Sequence, residues 1–150
     1  MDHATKAVEL FMQGYNCAQS VFCAFCDLTK LDFETSLKLS SSMGGGVGRL
    51  REICGALSGM LLVAGCLYGY TDVSTNDAKS EHYALVQQLA KSFEEKAGAI
   101  TCRDILGIKG SSEPYSPPRD ASFYATRPCA KMVQISAQIL DEYVSKHPYE

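Results

Sequence analysis

Seven cysteines stand in a chain of 150 residues, and four of them open segments that read as helix starts. Cys17 follows Asn16 in "YNCAQS", Cys102 follows Thr101 in "ITCRD", and Cys129 follows Pro128 in "RPCAK". Cys54 comes after the glycine cluster "MGGGVG", in or near the start of its segment. A helix N-terminus presents free N–H groups and a partial positive charge. Both favour thiolate over thiol and bring a cysteine below its free pKa of about 8.5. Arginine placement points the same way. Arg49 and Arg51 precede Cys54, Arg103 follows Cys102, and Arg127 lies two residues before Cys129. A guanidinium nearby stabilises a thiolate. The same arginines also read as ordinary surface residues, because proximity in sequence does not fix direction.

Cys23, Cys26 and Cys66 fall in helix interiors among Val21, Phe22, Phe25, Leu62 and Leu67, where cysteine packs as a small hydrophobe. "CAFC" matches C-x-x-C, but no βαβ pattern surrounds it and no histidine follows, so neither a thioredoxin-like motif nor a haem attachment is expected. Cys17, Cys54, Cys102 and Cys129 lie on four separate segments, and folding can gather them. Three chemistries then compete. Four thiolates satisfy a [2Fe–2S] cluster. Two of them suffice for thiol–disulfide exchange, one attacking and one resolving. Structural zinc ranks last, because zinc ligands usually come in closely spaced pairs. A different class of function stays open: a helical binding module for a small anionic ligand or a protein partner, with structural cysteines. In that reading "GGGVGR" cradles an anion with backbone N–H groups. The P-loop pattern is missing. His3, His82 and His147 show no metal spacing; His82 reads as a satisfied core or boundary residue, and Glu94 with Glu95 as a solvated helix face.

The elements that must position these residues follow a 3.6-residue period, with no convincing alternating strand. Ala4, Val8, Phe11 and Tyr15 line a first helix. Asn16, with Gln19 three residues on, opens a second running to about Leu28 through a capping box. Asp32 caps a third, through about Ser42. A small-residue helix covers roughly 53–67, and Ser74 or Thr75 opens a long one striped by Ala78, His82, Leu85, Leu89 and Phe93. Thr101 starts a short turn with Asp104 as box partner. Residues 108–127 read as an irregular, proline-rich loop. Pro128 suits the first position of a last helix, with Val133, Ala137, Leu140 and Val144 inward. The expected fold is a single all-α domain over 1–150, of about five long helices plus one short. Gly55 and Gly59 are four apart on one helix face, as are Gly65 and Gly69. Interior glycine costs roughly 1 kcal/mol against alanine, so close approach of another helix or a cofactor is expected there.

Composition narrows the class. Hydrophobic residues make up 46% and the net charge is −3, with no basic stripe for nucleic acid. The first residues do not read as a signal peptide, and "MLLVAGCLYGY" is too short to span a bilayer. A cytoplasmic location is the expectation. In a reducing compartment the cysteines are not expected to be structural disulfides, and an odd number cannot all pair within one chain.

"NCAQSV" at 16–21, "GGGVGRLREICGALSG" at 44–59, "CRDILG" at 102–107 and "PCAKMV" at 128–133 resemble the C_GCAxxG_C_C family of redox-active proteins. The resemblance spans nearly the whole chain. It implies that Cys17, Cys54, Cys102 and Cys129 are the functional set, as ligands or reactive thiols, with Cys23, Cys26 and Cys66 outside it. A similar domain of split-Soret cytochromes is associated with an iron–sulfur centre. The chain lacks their C-x-x-C-H, so a cluster is the implied cofactor and haem is not. The expected site adds Gly55, Gly59 and Arg103 as cofactor-facing residues. An unidentified redox partner is expected and a homodimer is left open. Turnover of a substrate is not distinguished from simple electron transfer.

Overall fold

Side-chain oxygens placed just before the helical runs start five of the ten α-helices described. The computed structural model describes residues 2–149. Asp2 accepts the Thr5 amide at 2.6 Å and opens α1 (His3–Met12). Asn16 accepts the Gln19 amide at 2.8 Å while Gln19 Oε1 takes the Asn16 amide at 3.1 Å, so the box opening α2 (Cys17–Ala24) is complete. There follow α3 (Cys26–Thr29), α4 (Phe33–Ser40), a 3₁₀ turn at Ser41–Met43, a glycine-rich turn α5 (Gly44–Val47), and α6 (Gly55–Tyr68). The chain ends with α7 (Asp77–Ala97), α8 (Cys102–Leu106), α9 (Ala121–Thr126) and α10 (Cys129–Lys146). Asp32 caps α4, Thr101 caps α8 and Asp120 caps α9. The fold is all-α. Its non-helical pairing is an isolated antiparallel bridge between Ile53 and Thr101.

The core forms where α1 meets α2 and α10, α2 meets α6, and α10 meets α6 and α7. Phe11, Phe22, Phe25, Leu57, Met60, Leu89, Phe93 and Leu140 are fully buried there. The chain puts apolar residues on nearly every face of α6, and such a helix belongs in the middle. Glycine lets it come close to α2. A Cβ on Gly55 would stand 2.9 Å from the Met43 carbonyl and 3.2 Å from Cys17 Cβ, and one on Gly59 would stand 2.7 Å from the Ala18 carbonyl. Gly65 has open space around it, and Gly69 closes the helix, so the second glycine pair plays no such part. Among the described residues no helix is long and apolar enough to cross a membrane.

Several local expectations are corrected. The second helix breaks at Phe25, whose ring enters the core and stacks on His3 at 4.2 Å. The proline-rich segment is not wholly irregular: Asp120 caps α9 within it. Pro128 takes the N-cap position and leaves Cys129 as the first helical residue. Asn76, rather than Ser74 or Thr75, precedes α7; Thr75 Oγ1 accepts the Asp77 amide at 3.3 Å. Cys23 is buried and Cys26 half-buried, with its thiol on Ser36 Oγ at 3.3 Å, but Cys66 is exposed on the outer face of α6. An all-apolar helix carries no periodic signal for which face points out. His82 sits at the boundary, yet its buried Nδ1 has no partner among the described residues.

Candidate functional site

Each of the four cysteines leads a helix, and separate devices draw those helix starts together. The Asn16 cap sets Cys17 at the first turn of α2, and Gly55 allows the start of α6 to abut it. The 53–101 bridge holds the other pair. Cys54 N–H donates to the Ile100 carbonyl at 2.8 Å, and Cys102 N–H donates to the Glu52 carbonyl at 2.6 Å. Cys54 takes the N-cap position of α6, and Cys102 and Cys129 the first positions of α8 and α10.

Between Met43 and Cys54 the backbone turns left-handed. Gly45, Gly46, Val47, Gly48 and Arg49 have φ of 66, 67, 67, 55 and 69°, and Arg51 has 63°. Glycine accepts these angles freely, whereas a residue with a Cβ pays roughly 1–2 kcal/mol for each. The turn closes through Glu52 N–H to the Gly46 carbonyl at 2.8 Å and Leu50 N–H to the Val47 carbonyl at 2.9 Å. At Gly46 a Cβ would stand 2.6 Å from Cys102 Cβ. The consequence is that Arg51 reaches Cys102 and Arg49 reaches the cavity that Cys17 and Cys129 line. Arg51, only 3% exposed, donates from Nη1 to Cys102 Sγ at 3.4 Å and from Nε to Ser112 Oγ at 2.9 Å.

A cavity of about 190 Å³ opens beside this turn. Cys17 and Cys129 line it with Asn16, Arg49, Arg51, Arg119 and Arg127. Cys54 and Cys102 are buried and do not line it. Arg119 is held by the Phe11 and Tyr15 carbonyls, each at 3.0 Å, and lies over the Phe11 and Phe123 rings at 4.5 and 4.7 Å. Arg103 pairs instead with Glu52 and does not reach the cavity wall. Gly55 and Gly59 stand against α2, whereas Gly44 and Gly45 reach the wall.

These surroundings separate the four thiols. Cys129 is brought down to about 7 by the neighbouring Cys17 thiol and by Arg127, Arg119 and Arg51, with burial opposing. Cys17, half-buried at the cavity wall, is pushed well above the ordinary thiol range by its interaction with Cys129, by loss of water around the sulfur, and by repulsion from charge on Cys129, Cys54 or Cys102. Burial pushes Cys54 up to about 12, against the Ala56 and Leu57 amides at the start of α6. Helix-start position alone therefore predicts the wrong direction for Cys17 and Cys54. Arg49 is drawn below its ordinary value by burial and by the charges of Arg51 and Arg127.

Arg119, which completes the cavity, was not singled out by the sequence. It is the one arginine far from any cysteine in the chain, and the prolines before it hide the Asp120 cap. Among the described residues no three His, Cys, Asp or Glu side chains are grouped to hold a metal ion.

The fold and site define a helical protein with four helix-leading cysteines, two of them on the wall of an arginine-lined cavity. The family model described as "Putative redox-active protein (C_GCAxxG_C_C)" matches residues 15–143, and the chain belongs to that family. No curated protein and no solved structure matches the chain.

Proposed function

We propose that the protein is a dithiol redox protein in which Cys129 attacks and Cys17 resolves. The observation that carries this reading is that Cys17 and Cys129 line one cavity with Arg51, Arg119 and Arg127, where the neighbouring Cys17 thiol and the three guanidiniums favour a Cys129 thiolate. The Cys129 thiolate attacks one sulfur of a disulfide R–S–S–R′. The S–S bond breaks, and R′S⁻ leaves with the electron pair. Cys129 is now in a mixed disulfide and no longer anionic, so the largest cause holding the proton on Cys17 is gone. Cys17 loses that proton to the leaving thiolate or to water and attacks Cys129 Sγ. RS⁻ is released, and a Cys17–Cys129 disulfide forms. Two electrons have passed from the protein to the substrate, and a dithiol reductant resets the pair.

The test is a trapping series. Oxidised wild-type protein yields a peptide linking Cys17 to Cys129. Cys17→Ser accumulates the mixed disulfide on Cys129, and Cys129→Ser forms none. Cys54→Ser and Cys102→Ser still form the link. An oxidised sample lacking the 17–129 link overturns the reading.

A second reading keeps the [2Fe–2S] cluster on Cys17, Cys54, Cys102 and Cys129. It is favoured by the convergence of four cysteines close enough for each charge to act on the others. It requires the cysteines to draw into a tighter set than they form now. Protein purified without oxygen, carrying iron and acid-labile sulfide that each Cys→Ser variant loses, supports it over the dithiol reading.

A further inference from the structure

Four guanidiniums surround one small cavity, and among the described residues no carboxylate lines it. None of Arg49, Arg51, Arg119 and Arg127 forms an ion pair with a carboxylate among the described residues; Arg103 takes Glu52. Arg51 is buried and the other three are half-buried, where charge without a counter-charge is costly, and like charges crowd here: Arg49 is weakened as a base by burial and then by Arg51 and Arg127. The cysteines offset this only in part, because Cys17 and Cys54 hold their protons.

The arginines also differ in what they have left to offer. Arg119 commits Nη1 and Nη2 to two carbonyls. Arg51 commits Nε to Ser112 and Nη1 to Cys102. Among the described residues Arg49 commits only Nε, to the Glu113 carbonyl at 2.6 Å, and its two terminal nitrogens have no acceptor. Arg127 faces the Phe123 ring at 5.3 Å, and among the described residues its donors have no acceptor. Two guanidiniums with open donors beside a thiolate make a fork suited to a planar or tetrahedral oxyanion. Volume sets the scale: drug-sized ligands occupy roughly 300–1,000 Å³, and this cavity holds about 190 Å³.

We infer that the cavity is a recognition site for a small oxyanion, so that the substrate of Cys129 is a low-molecular-weight sulfur compound bearing a carboxylate or sulfonate close to the sulfur that is attacked. Arg127 and Arg49 bind the oxyanion, while Arg51 and Arg119 hold the cavity in shape and add to its field. This inference rests on the reading of Cys129 as the attacking thiol.

Two alkylating agents that differ in charge test it. Wild-type protein is treated with iodoacetate or iodoacetamide, and modification of the Cys129 peptide is timed by mass spectrometry. Each rate is divided by the rate for free cysteine. The ratio of the two cancels the intrinsic reactivity of the thiol, so a change in the Cys129 pKa does not move it. Cys129 is expected to prefer iodoacetate by about tenfold or more, and Arg127→Gln or Arg49→Gln to cut that preference by about tenfold, the scale of one hydrogen bond to a charged group. Sodium sulfate at constant ionic strength slows the wild-type reaction. A wild-type preference equal to that of free cysteine, or one unchanged in both variants, overturns the inference while leaving the dithiol reading standing. If Cys129 reacts with neither reagent, the dithiol reading fails, and thermal melting decides the anion site. Sulfate should then raise the midpoint over chloride more in wild type than in Arg127→Gln, and equal increments overturn the site.

Discussion

Cys17 and Cys129 are the same residue type at the same position of a helix, yet they hold their protons with opposite strength. The difference lies in what stands opposite each sulfur: Cys129 faces the Cys17 thiol and, beyond it, Arg127, Arg119 and Arg51, whereas Cys17 faces Cys129. A pH profile of Cys129 alkylation should show this. With its pKa brought down to about 7, the thiolate predominates above that pH, and below it the rate falls about tenfold per unit. Cys17→Ala removes the donor, and the midpoint should climb toward the free-thiol value of about 8.5. A profile unmoved by Cys17→Ala would mean that the two sulfurs do not interact. Cys54 and Cys102 in the same experiment should lag behind, since neither lines the cavity.

At the scale of elements, the site depends on the distance between α2 and α6. Gly59→Ala would put a Cβ 2.7 Å from the Ala18 carbonyl and 3.0 Å from Val21 Cβ. Backbone on one side and a buried core residue on the other leave little room to yield. The expected cost is about 1–3 kcal/mol, as for other overpacked contacts, read as a lower denaturation midpoint. Gly65→Ala is the control within the same helix. It meets nothing within 4 Å, so helix propensity alone should raise stability by up to about 1 kcal/mol. The left-handed turn at 45–49 works differently. It places Val47 and Arg49 at angles that residues with a Cβ resist, and strain of this kind collects where function needs a side chain in one direction. Here it aims Arg51 at Cys102 and Arg49 at the cavity.

At the scale of the molecule, two clamps join segments distant in the chain. His3 takes Asp141 at 2.6 Å and Asp27 at 2.9 Å while stacked on Phe25, tying α1 to α3 and α10. Arg119 ties the proline-rich segment to the end of α1 through the Phe11 and Tyr15 carbonyls. That segment forms one wall of the cavity through Ser116, Pro117 and Arg119. Arg119→Lys keeps the charge but cannot reach both carbonyls with one fork. Limited proteolysis within residues 108–127 should quicken by about tenfold, with the fluorescence or circular dichroism melting midpoint changing little by comparison. Equal cleavage rates in the two proteins would mean that the segment is held by other contacts.

Much of the architecture was legible because its causes are local. A capping oxygen acts on an amide three residues away, so Asn16, Asp32 and Thr101 announce their helices within a few letters. The stripes of α1, α7 and α10 repeat at 3.6 residues and show their inner faces. Cys17, Cys54, Cys102 and Cys129 could be picked out as leaders of helical segments for the same reason. What each cysteine meets there is not written nearby. The bridge between Ile53 and Thr101, the approach of α6 to α2 at Gly55, and the arrival of Arg119 from a segment masked by prolines are contacts between stretches tens of residues apart. Arg103, beside Cys102 in the chain, turns to Glu52, while the distant Arg119 bears on Cys129. A proton on sulfur responds to burial and to charge through space, and both are properties of the folded whole.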